Sequence, residues 1–365
     1  MHMDIFNDDA FSATTMTTAL EDFEFKPNYI GSLNLFEDVP ITTTSVSIER
    51  RGNTLSIIPT SERGADIDEG KRDPGATFRN FETVRIAKGH TIRASEVQNI
   101  RAFGTESELE TMIAYVGRYE NKLVGDVELT WENMKLGAVF GKVLDADGSV
   151  IVDWFSEWGI AQPAEIDFAL DTADTDLEEK CREVIEVMKR NSKGAWNMST
   201  YVIGLCGKSF FNKLTKLKSV RETYLNTQQA QALNRAMGVA NGSGFRSGTI
   251  ASFDYGGVLF VRYQEADGFD FAASEATNGT KGKDGMGVQS KRCKFFPVNA
   301  PGVYQQAFAP GESWDWANTL GRPLYSLMLR DEKRNFWVRP EVYSYPLFIC
   351  TRPEMLLRAK EAAGA

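Results

Sequence analysis

The stretch "YVIGLCGKSFF", residues 201–211, holds the most suggestive arrangement for chemistry in this chain: an apolar run, a glycine turn, then Gly207, Lys208 and Ser209 opening a helix. Backbone N–H groups at a helix start, joined by a lysine, hold phosphate oxygens when a glycine-rich loop wraps them. That loop needs a glycine five residues ahead of the Gly-Lys pair. Val202 stands there, and Gly204 leaves a loop too short to wrap a phosphate. Lys208 is the residue a nucleotide-handling reading would use, set against the plainer one of a helix beginning after a tight turn.

Other constellations are thinner. In "VDWFSEW", Asp153 and Glu157 flank Trp154 and Trp158, which suits acid/base work on a sugar, or else a strand end that packs its aromatic rings inward. "DADGSVIVDWFSE" begins like a calcium loop, but its glycine comes two residues early for an EF-hand. "NGSGFRSG" sets Ser243 between glycines without the preceding strand of a nucleophile elbow, and remote from His2 and His90. Cys181, Cys206, Cys293 and Cys350 form no C-x-x-C pair and read as free, mostly buried thiols of a reducing compartment. Neither histidine has a metal-ligand neighbour at a useful spacing. No nucleophile, base and orienting group assemble, so no catalytic residue, cofactor or metal is expected.

The composition narrows the classes further. The chain has 365 residues with 42% apolar content, enough for real cores, and a formal net charge of -9 with a pI near 5.1. A protein whose task is to neutralise nucleic-acid phosphates needs a basic face. No window approaches eighteen consecutive apolar residues, and "MHMDIFNDDAFSATT" lacks the basic start and apolar stretch of a signal peptide. A soluble, intracellular product without membrane contact is expected.

The elements that would position any site follow from periodicity. Residues 1–44 are weakly periodic and interrupted by Pro27 and Pro40, an arm more than a domain. Val46 and Ile48 alternate with polar neighbours, "NTLSIIP" follows as a second short strand, and "FETVRI" resumes after "PTSERGADIDEGKRDPGATF". Together 45–93 read as a long hairpin-like excursion. From Ser107 to about Val143 apolar residues recur at three- and four-residue steps, a helix of roughly 55 Å if continuous. Gly117, Gly125, Gly137 and Gly141 each weaken it, so a bend or break is expected there. Residues 173–330 mix helices and strands: "TDLEEKCREVIEVMKRN", "KSFFNKLTKL" and "TQQAQALNRAM" as helices, "TYVIGLC" and "GGVLFVRY" as strands, with "NGTKGKDGMG" as a loop. "NFWVRPEVYSYPLFIC" is strand-like, its prolines placing it at an edge or bulge, and a short helix is expected to end the chain.

Three stretches carry a resemblance: "LFEDVPITTTSVSIERRGNTLSIIP", "TIRASEVQNIRAFG", and "FFPVNAPGVYQQAFAPGESWDWANTLGRPLYSLMLRDEKRNFWVRPEVYSYPLFICTRPEML". In this order they resemble the major capsid protein E family, the lambda-type head proteins of tailed bacteriophages. Most telling are Asn318, Thr319, Gly321, Pro323 and Tyr325, and Pro346-Leu347 followed by Arg352-Pro353. Residues 175–290 match by pattern more than by residue.

The resemblance implies an α+β chain with the Hong Kong 97-type phage capsid fold: an N-terminal arm at 1–44, an extended β-hairpin E-loop at 45–93, a peripheral domain with a long spine helix at 94–172, an axial α+β domain at 173–330, and a C-terminal strand and helix, 331–365, returning to the peripheral domain. It implies a major capsid protein that self-assembles as hexamers and pentamers, with a scaffolding protein, a portal and a decoration protein as partners and only weak, non-specific contact with packaged DNA. Ile57, Ile58, Phe78, Phe81, Val84 and Ile86 are the expected inter-subunit apolar contacts. The charged tip with Glu62, Arg63, Lys71, Arg72 and Asp73 is expected to meet a neighbouring capsomer. Some coats of this fold carry a lysine–asparagine crosslink, but Lys71 lacks identifiable partners and reads as solvated. An enzyme using Lys208, and another virion part such as a tail-tube or decoration protein, are the alternative readings.

Overall fold

The computed structural model describes residues 29–50, 77–97, 108–145, 148–172, 175–221, 252–263 and 288–362. In chain order the elements are α1 (Tyr29–Ser32), β1 (Glu37–Pro40), β2 (Ser45–Arg50), β3 (Thr77–Glu82), β4 (Ile86–Gly89), β5 (Ile92–Arg93), α2 (Ala94–Val97), α3 (Glu108–Phe140), β6 (Lys142–Leu144), β7 (Val150–Asp153), α4 (Trp154–Glu157) and β8 (Ile166–Asp167). They continue as α5 (Leu177–Asn191), β9 (Tyr201–Cys206), α6 (Lys208–Lys216), β10 (Ser252–Tyr255), β11 (Val258–Arg262), β12 (Arg292–Val298), β13 (Tyr304–Phe308), β14 (Tyr325–Arg330), β15 (Trp337–Ser344), β16 (Pro346–Cys350) and β17 (Leu357–Lys360), with 3-10 turns at Trp314–Trp316 and Pro353–Met355. The chain divides into two units: residues 1–22, 39–120 and 307–347, and residues 23–38, 121–306 and 348–365. A separate three-stranded sheet has the order β1-β13-β16.

The first unit holds the β2–β3 hairpin and a sheet in the order β14-β15-β4, with β5 also pairing β15. Its core gathers Ala309, Trp316, Tyr325 and Tyr345, with the Trp316 and Tyr325 rings 4.7 Å apart. Pro340 was expected at an edge or bulge, yet β15 lies between β14 and β4 with its register to β14 regular through Pro340. The Pro340 carbonyl accepts from His90 N–H, so its missing donor faces the junction where β4 ends and β5 begins and no ladder bond is lost.

The second unit is built on a six-stranded mixed sheet, β10-β11-β9-β12-β17-β8. One face carries Val202, Cys206, Phe260, Cys293, Phe295, Leu357 and Ala359 into a core with Leu177, Cys181, Val184 and Met188 of α5 and Phe210 and Leu214 of α6. Residues of the opposite face, Ile203, Leu205 and Phe296, are equally buried. That double burial explains why "YVIGLC" reads as a continuous apolar run. Gly204 lets Phe260 and Phe295 close over the strand, since a Cβ there would meet both rings at 2.9–3.1 Å. Helix α5 is capped by Asp176, whose carboxylate accepts the Glu179 N–H.

Helix α3 runs 33 residues without the expected break. It stops at Gly141, whose φ of +88° and contact with the Phe155 ring exclude a side chain. Gly137 serves the return of the chain, since a Cβ there would lie 2.7 Å from the Lys142 carbonyl.

Two boundaries differ from the sequence reading. Residues 307–330 belong to the first unit, not to the mixed domain, because β14 pairs with β15 along its whole length. The last described element is β17, where a helix was expected: Leu357 and Ala359 alternate inward against β12, a period of two that no helix could bury. Within the expected arm, Ile30 is fully buried, and its N–H and that of Gly31 donate to the Glu132 carboxylate of α3.

Candidate functional site

The phosphate-like helix start is already filled by the chain itself. Ser290 accepts from two N–H groups of α6, Ser209 N to its Oγ at 3.2 Å and Phe210 N to its carbonyl at 2.9 Å. A Cβ on Gly207 would lie 2.1 Å from the Gln289 carbonyl. The Glu361 carboxylate accepts from Ser209 Oγ at 2.9 Å, placing a negative charge where a phosphate would sit. Lys208 is exposed at the edge of this plug.

The Asp153 carboxylate of "VDWFSEW" is equally committed. Asp153 caps α4 through the N–H groups of Phe155 and Ser156 and pairs with Lys142 at 2.8 Å. Partial burial works against its ionisation, but these hydrogen bonds, Lys142's first, outweigh it and hold the carboxyl below its ordinary value. Trp154, Phe155 and Trp158 point inward, and Trp158 Nε1 donates to the Cys350 carbonyl at 2.9 Å, so no aromatic face is offered to a sugar. All four cysteines are free and buried; burial pushes the Cys181 and Cys350 thiols up to about 12, where thiolate is scarce. Cys206 and Cys293 face each other across β9 and β12 with sulfurs 3.3 Å apart. Among the described residues no group of His, Cys, Asp and Glu has the spacing of a metal site.

The contact residues expected from the hairpin divide into three groups. Ile57, Ile58, Glu62, Arg63, Lys71, Arg72 and Asp73 lie outside the described residues, as do the "NGTKGKDGMG" loop and the "TQQAQALNRAM" helix. Phe78 stands in β3 opposite Glu49. Phe81, Val84 and Ile86 are described, and they root the hairpin in its own chain. Phe81 pairs with Val46, both under 10% exposed, at 7% and 5%. Val84 N–H donates to the Pro346 carbonyl, and Ile86 opens β4 opposite Ser344 of β15. Phe81 is therefore a core residue of its own subunit, while Val84 and Ile86 keep partial exposure.

Sequence reasoning missed a set of large apolar side chains left in solvent: Trp314, Leu320 and Phe336 in the first unit and Met198 in the second. Each sits in a polar, turn-rich stretch where periodicity carries no signal; the available cue was a tryptophan or phenylalanine isolated among loop residues.

This geometry describes a scaffold with its polar groups spent internally and its apolar surplus on loops, as in a coat protein. Comparison with known proteins gives the family: the phage major capsid protein E model matches residues 12–361, and the chain belongs to that family. It is 26% identical over 348 residues to the major capsid protein of Salmonella phage Felix O1, covering 92% of both chains. It is also 26% identical to that of Pseudomonas phage KPP10, covering 92% of this chain and 93% of the relative. Among solved structures, the mature capsid of bacteriophage PhiM1 aligns at TM-score 0.45 and 13% identity over 99% of this chain and 92% of the other. A putative capsid protein of an E. coli CFT073 prophage aligns at 0.45 and 13% over 79% and 80%. The family is one of phage shell proteins rather than enzymes.

Proposed function

We propose that this chain assembles as hexamers and pentamers into the icosahedral shell around the double-stranded DNA of a tailed phage, on the Hong Kong 97-type plan of arm, extended hairpin, peripheral domain with spine helix, and axial domain. The observation that supports this most is the β2–β3 ladder. It pairs six residues a side, from Ser45 with Glu82 to Arg50 with Thr77, rooted by Val46 and Phe81. A two-stranded ribbon is marginal alone and leaves unpaired backbone groups along both edges. Laid on a neighbouring copy, those edges and the apolar Ile57, Ile58 and Phe78 gain a partner, and the charged tip with Glu62, Arg63, Lys71, Arg72 and Asp73 meets the adjoining capsomer.

In this reading assembly takes place in the host bacterial cytoplasm with a scaffolding protein, a portal and a decoration protein. Net charge of -9 suits a container whose lining touches DNA only locally. Negative-stain microscopy of the protein expressed with and without a scaffold tests the proposal. Closed shells with six- and five-fold capsomers are expected; a chain that stays monomeric in both preparations, or stacks into tubes, overturns it.

A further inference from the structure

Two loops of the first unit each end in an exposed aromatic residue, carry opposite charge character, and sit at opposite ends of one hairpin. The loop before β14 presents Trp314 at 96% exposure and Leu320 at 57%, with Asp315 between them, Glu312 just ahead and paired with Arg85, and no basic residue from 311 to 321. The β14–β15 tip, residues 331–336, presents Phe336 at 62% beside Lys333 and Arg334. Strand β14 separates them: Tyr325, its first residue, packs on Trp316, and Arg330, its last, leads into the tip. Five steps of about 3.4 Å place the two ends roughly 17 Å apart.

Neither loop is loose. Ser313 caps the 3-10 turn, Thr319 Oγ1 donates to the Trp316 carbonyl at 2.7 Å, Gly321 N–H donates to the Ile41 carbonyl, and the Tyr325 hydroxyl accepts Arg322 N–H. A Cβ on Gly321 would fall 1.8 Å from the Phe308 carbonyl, so the chain must pass there as glycine. At the tip, the Asp331 carboxylate accepts the N–H groups of Lys333, Arg334 and Phe336. With that carboxylate spent on the turn, Glu332 is the one acid left beside Arg330, Lys333 and Arg334. With the loop backbone ordered in advance, only the Trp314 side chain remains to be fixed by a partner, and tryptophan is enriched among the side chains that anchor interfaces.

We infer that the Trp314 loop of one copy docks against the Lys333–Phe336 tip of the next copy of this chain. Two complementary patches at opposite ends of one element give a head-to-tail contact, the kind that closes identical subunits into a ring. The Asp315 carboxylate meets Lys333 and Arg334 while Trp314 and Phe336 leave water together; Glu312 stays with Arg85 of its own subunit, 2.9 Å away. This inference rests on the shell-protein reading above.

The test uses the full chain under conditions where wild type forms shells. Trp314→Ser melts as wild type does, because the side chain is almost wholly in solvent, but needs about tenfold more protein to assemble. Lys333→Glu with Arg334→Glu behaves alike, and adding Asp315→Lys to that pair restores assembly. Benzoylphenylalanine at 314 crosslinks to the 330–337 peptide of another copy. Assembly of Trp314→Ser at wild-type concentration, no rescue by Asp315→Lys, or a crosslink mapping elsewhere overturns the inference while leaving the shell function standing. Failure of wild type to assemble strikes that function instead.

Discussion

Glu120 is the side chain whose surroundings most alter its chemistry. It is 7% exposed on α3, its carboxylate accepts from Ser326 Oγ at 3.0 Å, and burial raises its pKa to about 7 although that hydrogen bond pulls the other way. The folded state therefore holds this proton more tightly than the unfolded chain. Stability is highest below the ordinary value of 4.5 and declines as pH rises from there to about 7, by up to about 3 kcal/mol. Glu120→Gln keeps an acceptor without the charge: its melting temperature should match wild type at pH 4.5 and exceed it at pH 8. Lys294 has the opposite sign. Burial first, then Arg358 and Arg292, lower it to about 8, so the unfolded chain binds more protons above that value. Between pH 8 and 10.5 this residue adds stability as pH rises, and Lys294→Met should remove that gain in denaturation titrations. Nothing at either position in the sequence announced these shifts, which come from elements far apart in the chain. Buried thiols, by contrast, were readable from cysteine spacing alone.

The glycines of α3 separate by what surrounds them. A Cβ on Gly125 meets nothing within 4 Å, and one on Gly137 meets the returning chain at 2.7 Å. Gly125→Ala should stabilise the subunit by about 0.5–1 kcal/mol, through helix propensity and a less flexible unfolded chain. Gly137→Ala should cost more than about 2 kcal/mol, because backbone must move to admit the methyl. Chemical denaturation of the two variants side by side reads both signs, and a stabilising Gly137→Ala would contradict the packing of β6 on the helix. Three glycines in one helix, Gly117, Gly125 and Gly137, look alike in sequence, and only the path of Lys142 and Val143 distinguishes them. Strand β17 was misread for a related reason: six residues of "LLRAKE" fit a helix or a strand, and the open place between β12 and β8 decides.

Across the whole molecule, the hairpin links the folded units to assembly. The N–H groups of Thr83 and Val84 are already hydrogen-bonded within the chain, to Thr44 and to Pro346. Shell formation should leave their amide exchange unchanged. The ladder at Ser45–Arg50 and Thr77–Glu82 has two strands only, and its outward N–H groups should slow by about tenfold or more when a neighbour covers them. Hydrogen exchange on unassembled subunit and shell measures this directly; equal protection of the ladder in both would remove the hairpin from the interface.

Sequence by itself determined the segments and the family. Periods of two and 3.6 and the phrase from Asn318 to Tyr325 are local or near-local signals, fixed by which residues alternate and which residues stand next to one another. It also raised the Lys208 question, but could not answer it. The answer lay with Gln289, Ser290 and Glu361, some eighty residues and more downstream, whose oxygens fill the helix start. Only tertiary structure decided which polar groups were already satisfied, which glycine was crowded, and which aromatic residues stayed in water. Burial and hydrogen-bond satisfaction are properties of what the fold brings together, and a linear pattern records only what one element offers.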